Sequence, residues 1–278
     1  MAQAPPVVLT IAGFDPSCGA GVTADVKTIA AHGCYGVACI TALTVQSTAG
    51  VKRVEPVAPE LIAETLQELS ADLEISAIHI GMLGSGKVAR VVGDFLERSK
   101  ARNVVLDPII KSSSGHELID ATGLRLLLER LLPRATVITP NVDEAAALTG
   151  LAVTNLEQMR VAATRLHEMG ASAVVITGGH LEKAIDFLSF TTRHGTEQEV
   201  FKSNRLESKS THGTGCAFST TMACHLARSR GLPEAVLLSK AYVAAAIANA
   251  HPLGRGTGPV HHLYRMHQQR RVVINDPT

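Results

Sequence analysis

Short apolar runs alternate with longer amphipathic segments along most of the chain, and this alternation restricts the possible folds more than any other feature. The run "PVVLTIAG" (residues 6–13) has the length and content of a buried strand, and residues 21–32 have the apolar spacing of a helix. Similar runs recur in "YGVACITALTV", "SAIHIGML", "NVVLDPII", "ATVITP" and "ASAVVIT". Strand–helix alternation predicts an α/β fold with a mostly parallel central sheet and helices on both faces.

The alternation of strands and helices stops after residue 178. The segments "AIDFLSFTT" and "EQEVFKS" predict a short antiparallel pair late in the chain, and two long apolar helices follow over about 213–228 and 233–249. Linkers, low-complexity tracts and internal repeats are not apparent in the sequence. We therefore expect one domain over residues 1–278.

Composition and charge narrow the classes of partner. The chain is 46% hydrophobic, 18% charged and has a formal net charge of +1, so bulk electrostatics favours neither nucleic acid nor a membrane surface. The five cysteines form no CxxC pair, which argues against a disulfide framework and favours a reducing, cytoplasmic location. No segment approaches the ~18 apolar residues of a membrane helix, and the first residues lack the pattern of a signal peptide.

The segment "THGTGC" (residues 211–216) precedes an apolar helical pattern. A helix that begins there presents free N–H groups and the positive end of its dipole, which suits a phosphate or an oxyanion. The same field would lower the pKa of Cys216, so that its thiolate could accept a proton from a substrate hydroxyl. The alternative is a glycine-rich helix start with a small cysteine in the core.

A second glycine-rich segment, "AGFDPSCGAGVTAD" (residues 12–25), joins the first strand to the first helix. Asp25 would lie just inside that helix and face the strand ends, as an acceptor for a ligand hydroxyl or amine; alternatively it is only a first-turn helix charge. The segments "GAGVTA" and "GMLGSGK" approach dinucleotide and P-loop motifs. The first lacks an acid about 20 residues further on, and Val88 follows the second where a hydroxyl is required, so we discount both.

Polar groups also follow later strands, as Asp107 in "VVLDP" and as Asn141 and Glu144 in "TPNVDE". Such oxygen ligands suit a hydrated Mg²⁺ that carries phosphates. Asn141 and Glu144 taken alone favour a capping box, in which each side chain bonds the other residue's backbone. The His261–His262 pair in "GPVHH" does not favour metal binding, because adjacent side chains diverge on a regular element.

Eight segments occur in an order that resembles the hydroxymethylpyrimidine and phosphomethylpyrimidine kinases of thiamine synthesis: "AGFDPSCGAGVTADVKT", "ITALTVQST", "IGML", "VVLDP", "TPNVDEAAAL", "GGH", "THGTGC" and "GPVHH". The resemblance extends from about residue 8 to residue 262. It implies a ribokinase-like three-layer sandwich of the pyridoxal kinase branch, often dimeric. It further implies that ATP, with Mg²⁺, phosphorylates 4-amino-5-hydroxymethyl-2-methylpyrimidine and then its monophosphate.

The resemblance also implies roles for particular residues. Cys216 would stand where sugar kinases of the superfamily have an aspartate base, at the end of an anion hole formed by Gly213, Thr214 and Gly215. Asp25 and Gln46 would bind the pyrimidine. Mg²⁺ would be held largely through water, without a dedicated protein cage. The remaining implied residues are the pocket members Gly13, Val45 and Met82 and the magnesium–phosphate members Asp107, Asn141 and Glu144.

The chain departs from the family pattern at three positions. Thr177 precedes "GGH" and Ser113 lies in "SSSG", where many members have lysines that would contact phosphate; Lys111 is a nearby alternative. Ser210 stands where asparagine often precedes "THGTGC". The competing functions are a pyridoxal kinase, a vitamin-binding protein without catalysis, and a cysteine hydrolase. The hydrolase is disfavoured because Cys216 and His212 have no evident third group to orient them.

Overall fold

The computed structural model describes residues 4–99, 101–112, 115–179, 184–204 and 206–266. Its strands and helices follow the alternation expected from the sequence. The strands are β1 (Val7–Phe14), β2 (Tyr35–Ser47), β3 (Gly50–Pro56), β4 (Ile75–Ile80), β5 (Val104–Leu106), β6 (Val137–Ile138), β7 (Ala173–Gly178), β8 (Ala184–Thr192) and β9 (Gly195–Ser203). The helices are α1 (Gly21–Ala31), α2 (Pro59–Asp72), α3 (Gly86–Arg98), α4 (Ala121–Leu126), α5 (Val142–Thr149), α6 (Leu156–Glu168), α7 (Thr214–Ala227) and α8 (Leu232–Ala248).

All nine strands belong to one sheet in the order β3-β2-β1-β4-β5-β6-β7-β8-β9. Six neighbouring strands run parallel, namely β2, β1, β4, β5, β6 and β7. The strands β3, β8 and β9 pair antiparallel with their neighbours. The mostly parallel sheet and the late antiparallel pair β8–β9 are thus confirmed. The sequence reading missed β3, because its segment "GVKRVEP" is charged, as is usual for an exposed edge strand.

The helices cover the sheet on both faces and make three layers. Helices α1, α7 and α8 pack on one face, and α2 to α6 pack on the other. The apolar spacing of α1 predicts a buried face of Val22, Val26, Ile29 and Ala30. The buried face differs, since Val26 and Ala30 are exposed while Asp25 and Thr28 are buried. Helix α1 contacts α7 as well as β1, and this double packing turns its polar positions inward.

The strand order changes direction at β1, which has β2 on one side and β4 on the other. In open α/β sheets, ligands bind at such a switch point, outside the carboxyl ends of the strands. Toward that edge the positions that face α7 change from apolar to polar. The apolar members of this row are Val8, Ala77 and Val105, and two residues further along their strands stand Thr10, His79 and Asp107.

Two features bear on the environment of the chain. Within the described ranges, no helix has both the length and the hydrophobicity that crossing a bilayer requires. All five cysteines lie within those ranges as free thiols. Cys224 is fully buried, as expected for a core position.

Candidate active site

Helix α7 begins after Gly213, where both the backbone conformation and close packing against a neighbouring loop require glycine. Gly213 is its N-cap and has a left-handed backbone with φ of 83°. A Cβ atom at this position would overlap the carbonyl oxygen of Gly19, in the loop between β1 and α1. The two glycine-rich segments of the sequence therefore meet at the carboxyl edge of the sheet, with the free N–H groups of the first turn of α7 beside them.

Cys216 lies in that first turn and is 8% exposed. Burial raises the pKa of its thiol well above 9.0, and the charges of Asp25 and Asp107 raise it further. A hydrogen bond with the backbone of Gly21, at the start of α1, acts in the opposite direction. The expectation of a lowered pKa is therefore wrong, because desolvation and neighbouring carboxylates outweigh the two helix termini.

Asp15 joins the two loops, and sequence reasoning did not single it out. Its carboxylate accepts hydrogen bonds from the backbone N–H groups of Ser17 (2.8 Å) and Ala20 (2.9 Å), and it lies 2.8 Å from Nε2 of His212. Burial would raise the pKa of Asp15, but the hydrogen bonds from His212 and Ser17 hold it below its usual value. The signal in the sequence was "DPSCG", since aspartate before such a turn commonly bonds the backbone that follows.

His212 connects this loop to the end of β2. The amide nitrogen of Gln46 lies 3.3 Å from Nε2 of His212, and its amide oxygen accepts a hydrogen bond from Thr44. The pairing register between β2 and β3 shifts between Val45 and Gln46, and bulges of this kind re-aim side chains. Val45 is 48% exposed.

Gly13 and Met82 lie on either side of the switch point. A Cβ atom on Gly13 would stand 2.9 Å from the Met82 sulfur, so glycine is required for this close contact. The Met82 carbonyl accepts a 2.5 Å hydrogen bond from Thr41. Gly13, Val45, Gln46 and Met82 thus all lie at the carboxyl ends of β1, β2 and β4, and their contact with substrate stays a prediction.

Asp25 occupies a different environment from the one expected. Its side chain is fully buried, and its two oxygens accept hydrogen bonds from Thr10 (2.6 Å) and Thr220 (2.8 Å). Nδ1 of His79 lies 3.3 Å from the same carboxylate. Protein groups therefore hold Asp25 from several sides, and its contact with substrate stays a prediction.

The acids at the ends of later strands form a second group. Asp107 is buried and accepts a 3.0 Å hydrogen bond from Ser219 of α7. Asn141 and Glu144 form the capping box of α5, with both hydrogen bonds at 2.9 Å. This confirms the alternative that the two residues alone favoured. Burial raises the pKa of Asp107 to about 6, and burial together with the charge of Asp107 raises that of Glu144 to about 8.

Carboxylates that resist ionisation in a polar cleft suit a divalent cation, because its charge would favour their ionised forms. Oxygen donors match magnesium, which usually retains several waters and is held by one or two carboxylates plus phosphates. Among the residues that the structure describes, no three histidine, cysteine or acidic side chains gather to hold a metal directly. Asp107 and Glu144 thus fit a hydrated ion that is carried by phosphate.

The remaining sequence candidates have structural contacts. His262 lies 3.1 Å from the Thr28 hydroxyl and 3.2 Å from the Gly19 carbonyl oxygen, and burial lowers its pKa to about 4. The backbone of Thr177 bonds Pro140. Lys111 is exposed, and its backbone forms an isolated antiparallel β-bridge with that of Glu117. Ser113 lies outside the described residues, and so does His180, the last residue of the "GGH" segment.

The sheet order, the crevice at the switch point and the glycine-rich start of α7 define a ribokinase-like small-molecule kinase. The ADP complex of Bacillus subtilis pyridoxal kinase superposes with a TM-score of 0.85 at 32% identity and covers 95% of this chain and 100% of its own. The phosphomethylpyrimidine kinase of Clostridium difficile 630 gives 0.77 at 33% identity over 87% and 99%.

Sequence comparison places the chain within one family of such kinases. The family model described as phosphomethylpyrimidine kinase matches residues 15–261, and the chain belongs to that family. The hydroxymethylpyrimidine/phosphomethylpyrimidine kinase of Salmonella typhimurium is 42% identical over 92% of this chain and 97% of its own length. The thiamine biosynthesis bifunctional protein of Geobacter sulfurreducens is also 42% identical over 92%, but the chain spans only 52% of that protein.

Proposed function

We propose that this protein transfers the γ-phosphoryl group of ATP to the hydroxymethyl group of 4-amino-5-hydroxymethyl-2-methylpyrimidine and then phosphorylates the monophosphate to the diphosphate, in thiamine biosynthesis. The observation that carries the proposal is the near full-length similarity to the hydroxymethylpyrimidine/phosphomethylpyrimidine kinase of Salmonella typhimurium, together with Cys216 in the first turn of α7. A role as a binding protein without catalysis would leave the acids around this cysteine unexplained.

The substrate end of the proposed site comprises Gly13, Val45, Gln46 and Met82, with Asp25 as the remaining predicted contact. The amide of Gln46 supplies both a donor and an acceptor, which matches the mixed edge of an aminopyrimidine. Its contacts with Thr44 and His212 hold that amide in a defined orientation.

The transfer end comprises the start of α7. The N–H groups of residues 213–216 would bind the transferred phosphoryl group, because charge spread over its oxygens meets the positive end of the helix dipole. Cys216 would accept the proton of the hydroxymethyl group. Its raised pKa keeps the resting thiol protonated, and a protonated thiol cannot accept a second proton. We therefore infer that Cys216 acts as a base only in its thiolate form and takes up the proton late, as the phosphoryl group leaves ATP.

The nucleotide end comprises Asp107, Asn141 and Glu144. When bound, Mg²⁺ would neutralise charge on the ATP phosphates and align them for in-line transfer. Asp107 and Glu144 would position that ion through water, while Asn141 holds the first turn of α5 in place. For the second phosphorylation, Thr177 and Ser113 replace lysines of the family pattern, so Lys111 is the basic residue we assign to the phosphate already on the substrate.

Product analysis with ATP and Mg²⁺ tests this function directly. The purified protein is incubated with the pyrimidine alcohol, with its monophosphate and with pyridoxal, and the products are identified by mass spectrometry. We expect both pyrimidine substrates to gain one phosphoryl group and the alcohol to exceed pyridoxal in kcat/KM. A large preference for pyridoxal would instead assign the activity to the pyridoxal kinase branch, and the absence of any phosphorylated product would support a binding protein.

Three further expectations belong to the same proposal. We expect a homodimer, supported by the exposure of Tyr35, Leu43 and Val45 on β2, and light scattering of the purified protein would measure it. We expect a cytoplasmic location, supported by the five free thiols. We expect neither nucleic acid nor membrane as a partner, in line with the net charge of +1.

A further inference from the structure

A continuous path of buried polar side chains lies directly beneath the switch point of the sheet. Thr10 of β1 and His79 of β4 are paired in register on neighbouring strands, and both are fully buried. Nδ1 of His79 lies 3.3 Å from the Asp25 carboxylate and 3.3 Å from the Thr10 hydroxyl. The imidazole therefore contacts α1 and β1 on one side.

The other ring nitrogen of His79 reaches toward α7. Nε2 lies 3.0 Å from the hydroxyl of Ser219, and that hydroxyl donates a 3.0 Å hydrogen bond to Asp107. Ser219 also lies 2.9 Å from the carbonyl oxygen of Gly215 in the first turn of the helix. A continuous path thus connects Asp25, His79, Ser219 and Asp107, and it passes one turn below Cys216.

The direction of the bonds is consistent along this path. Asp107 accepts from Ser219, Ser219 accepts from Nε2–H of His79, and Asp25 accepts at the Nδ1 end. His79 can satisfy both neighbours as a double donor. Burial would lower the pKa of His79, but the charges of Asp25 and Asp107 raise it, which favours the double donor.

Stability alone does not explain such a path. Replacing buried ionic groups by well-packed apolar ones is often neutral or stabilising, and the flanking strand residues Ile78 and Ile80 are already apolar. The path connects two acids that both influence the Cys216 thiol. A displacement of either acid would change the field at the transferred group, and misplacement by about 1 Å can cost about 10²-fold in rate.

We propose that His79 is a positioning residue for phosphoryl transfer, which holds Asp25 and Asp107 in fixed places relative to Cys216 by bridging α1 and α7. The inference rests on the proposed function for its kinetic test. It adds a residue outside the predicted site set and assigns Asp25 a role within the protein framework.

Steady-state kinetics of two His79 variants of the full chain tests the proposal. His79→Leu removes both contacts, and His79→Lys retains a cationic donor between the acids. We expect kcat of the leucine variant to fall about 10²-fold with KM for the alcohol changed less than about threefold, because four of the five predicted substrate contacts lie outside the path. The lysine variant should keep kcat within about tenfold of the wild type.

His225→Leu is the matched control. His225 is another buried histidine, 8% exposed against 0% for His79, at the far end of α7, and among the described residues neither of its ring nitrogens has a hydrogen-bond partner. Its kcat should stay within about twofold of the wild type. A folded His79→Leu protein with near wild-type kcat, or equal losses in the leucine and lysine variants, would overturn the proposal.

Two further experiments apply if the leucine variant does not fold or if the wild type has no kinase activity. If His79→Leu does not fold, Ser219→Ala removes the hydroxyl that joins His79 to Asp107 and leaves the contact between His79 and Asp25 in place. About a tenfold loss of kcat supports the proposal, and unchanged kcat overturns it. If the wild type phosphorylates neither alcohol, the proposed function fails. His79 is then tested by the alkylation rate of Cys216 with iodoacetamide, which should change in His79→Leu but not in His79→Lys or His225→Leu. An unchanged rate in His79→Leu would overturn the positioning role.

Discussion

Cys216 is the residue whose environment departs most from the simple reading of its motif. The start of a helix favours a thiolate, yet burial and the charges of Asp25 and Asp107 raise the pKa of this thiol well above 9.0. In a loose phosphoryl-transfer transition state, the attacking oxygen needs little activation, so a thiol that is mostly protonated at rest and accepts the proton only through its thiolate fraction is sufficient.

Cys216→Ala tests that role. Removing the proton acceptor should lower kcat by about 10²-fold or more while KM for the alcohol changes little, because the thiol contributes to the transition state rather than to binding. Steady-state kinetics of Cys216→Ala and Cys216→Ser give the measurement, and the serine variant should lie between the alanine variant and the wild type. Unchanged turnover in Cys216→Ala would remove the cysteine from the mechanism.

Cys18 offers an independent test of local strain. It has a left-handed backbone with φ of 57°, which costs about 1–2 kcal/mol for a residue with a Cβ atom. Cys18→Gly should therefore raise the free energy of unfolding by about 1 kcal/mol, after allowance for the more flexible unfolded chain. Denaturant titration measures it. Cys18→Ala keeps the strain and should match the wild type; an equal gain in both variants would contradict this explanation.

At the scale of elements, the start of α7 depends on the loop between β1 and α1. Gly213→Ala would place a Cβ atom against the Gly19 carbonyl and would also oppose the left-handed backbone. We expect a loss of stability of at least about 2 kcal/mol and an even larger loss of kcat, because the first turn of α7 is displaced.

Gly150→Ala separates the two causes in that prediction. Gly150 has a similar φ of 71°, but no atom within 4 Å would meet its Cβ atom. Its alanine variant should lose only the backbone strain of about 1 kcal/mol and should keep its activity. Thermal unfolding and kinetics of both variants provide the comparison, and equal behaviour of the two would show that loop packing is irrelevant.

At the scale of the whole molecule, the acids of the site oppose folding as the pH rises. Glu144 has a folded pKa of about 8 against an ordinary value of 4.5, so the folded state binds its proton more tightly than the unfolded state. The associated stabilisation is present below pH 4.5 and is lost as the pH rises through about 8. Asp107, with a pKa of about 6, acts in the same direction.

Without Mg²⁺ and nucleotide, the Glu144 contribution to the melting temperature should therefore fall between about pH 6.5 and 8. A hydrogen bond with Cys224 lowers the pKa of Cys34 to about 6, which acts in the opposite direction over the same window, so comparison with Glu144→Gln isolates the Glu144 contribution. Burial lowers the pKa values of His32, His225 and His262 to about 4; these residues act oppositely, but only below their ordinary value of 6.5. Glu144→Gln keeps an oxygen for the Asn141 backbone and should flatten the decline. An unchanged slope in the variant would contradict the assignment.

The alternation of apolar runs and helical segments was enough to predict the order of elements, the parallel sheet and the late antiparallel pair β8–β9. It could not predict β3, whose charged segment pairs only because β2 offers a free edge, or the orientation of α1, which contact with α7 determines. The capping box at Asn141 and Glu144 was predictable because its contacts are local. The contacts of His79 and Ser219, and the contact of Asp15 with His212, were not, because each joins segments that are distant in the sequence.

The sequence by itself determined the family, the residues at the ends of the strands and the helix that begins after the "THGTGC" motif, because these depend on local periodicity and on motifs with a fixed order. Only the tertiary structure decided how the acids act on Cys216. Burial and the approach of Asp25 and Asp107 from different elements reverse the direction in which the helix dipole alone would move its pKa. Desolvation and charge–charge interaction depend on distances in space, and one strand register brings Thr10 and His79 together beneath the site.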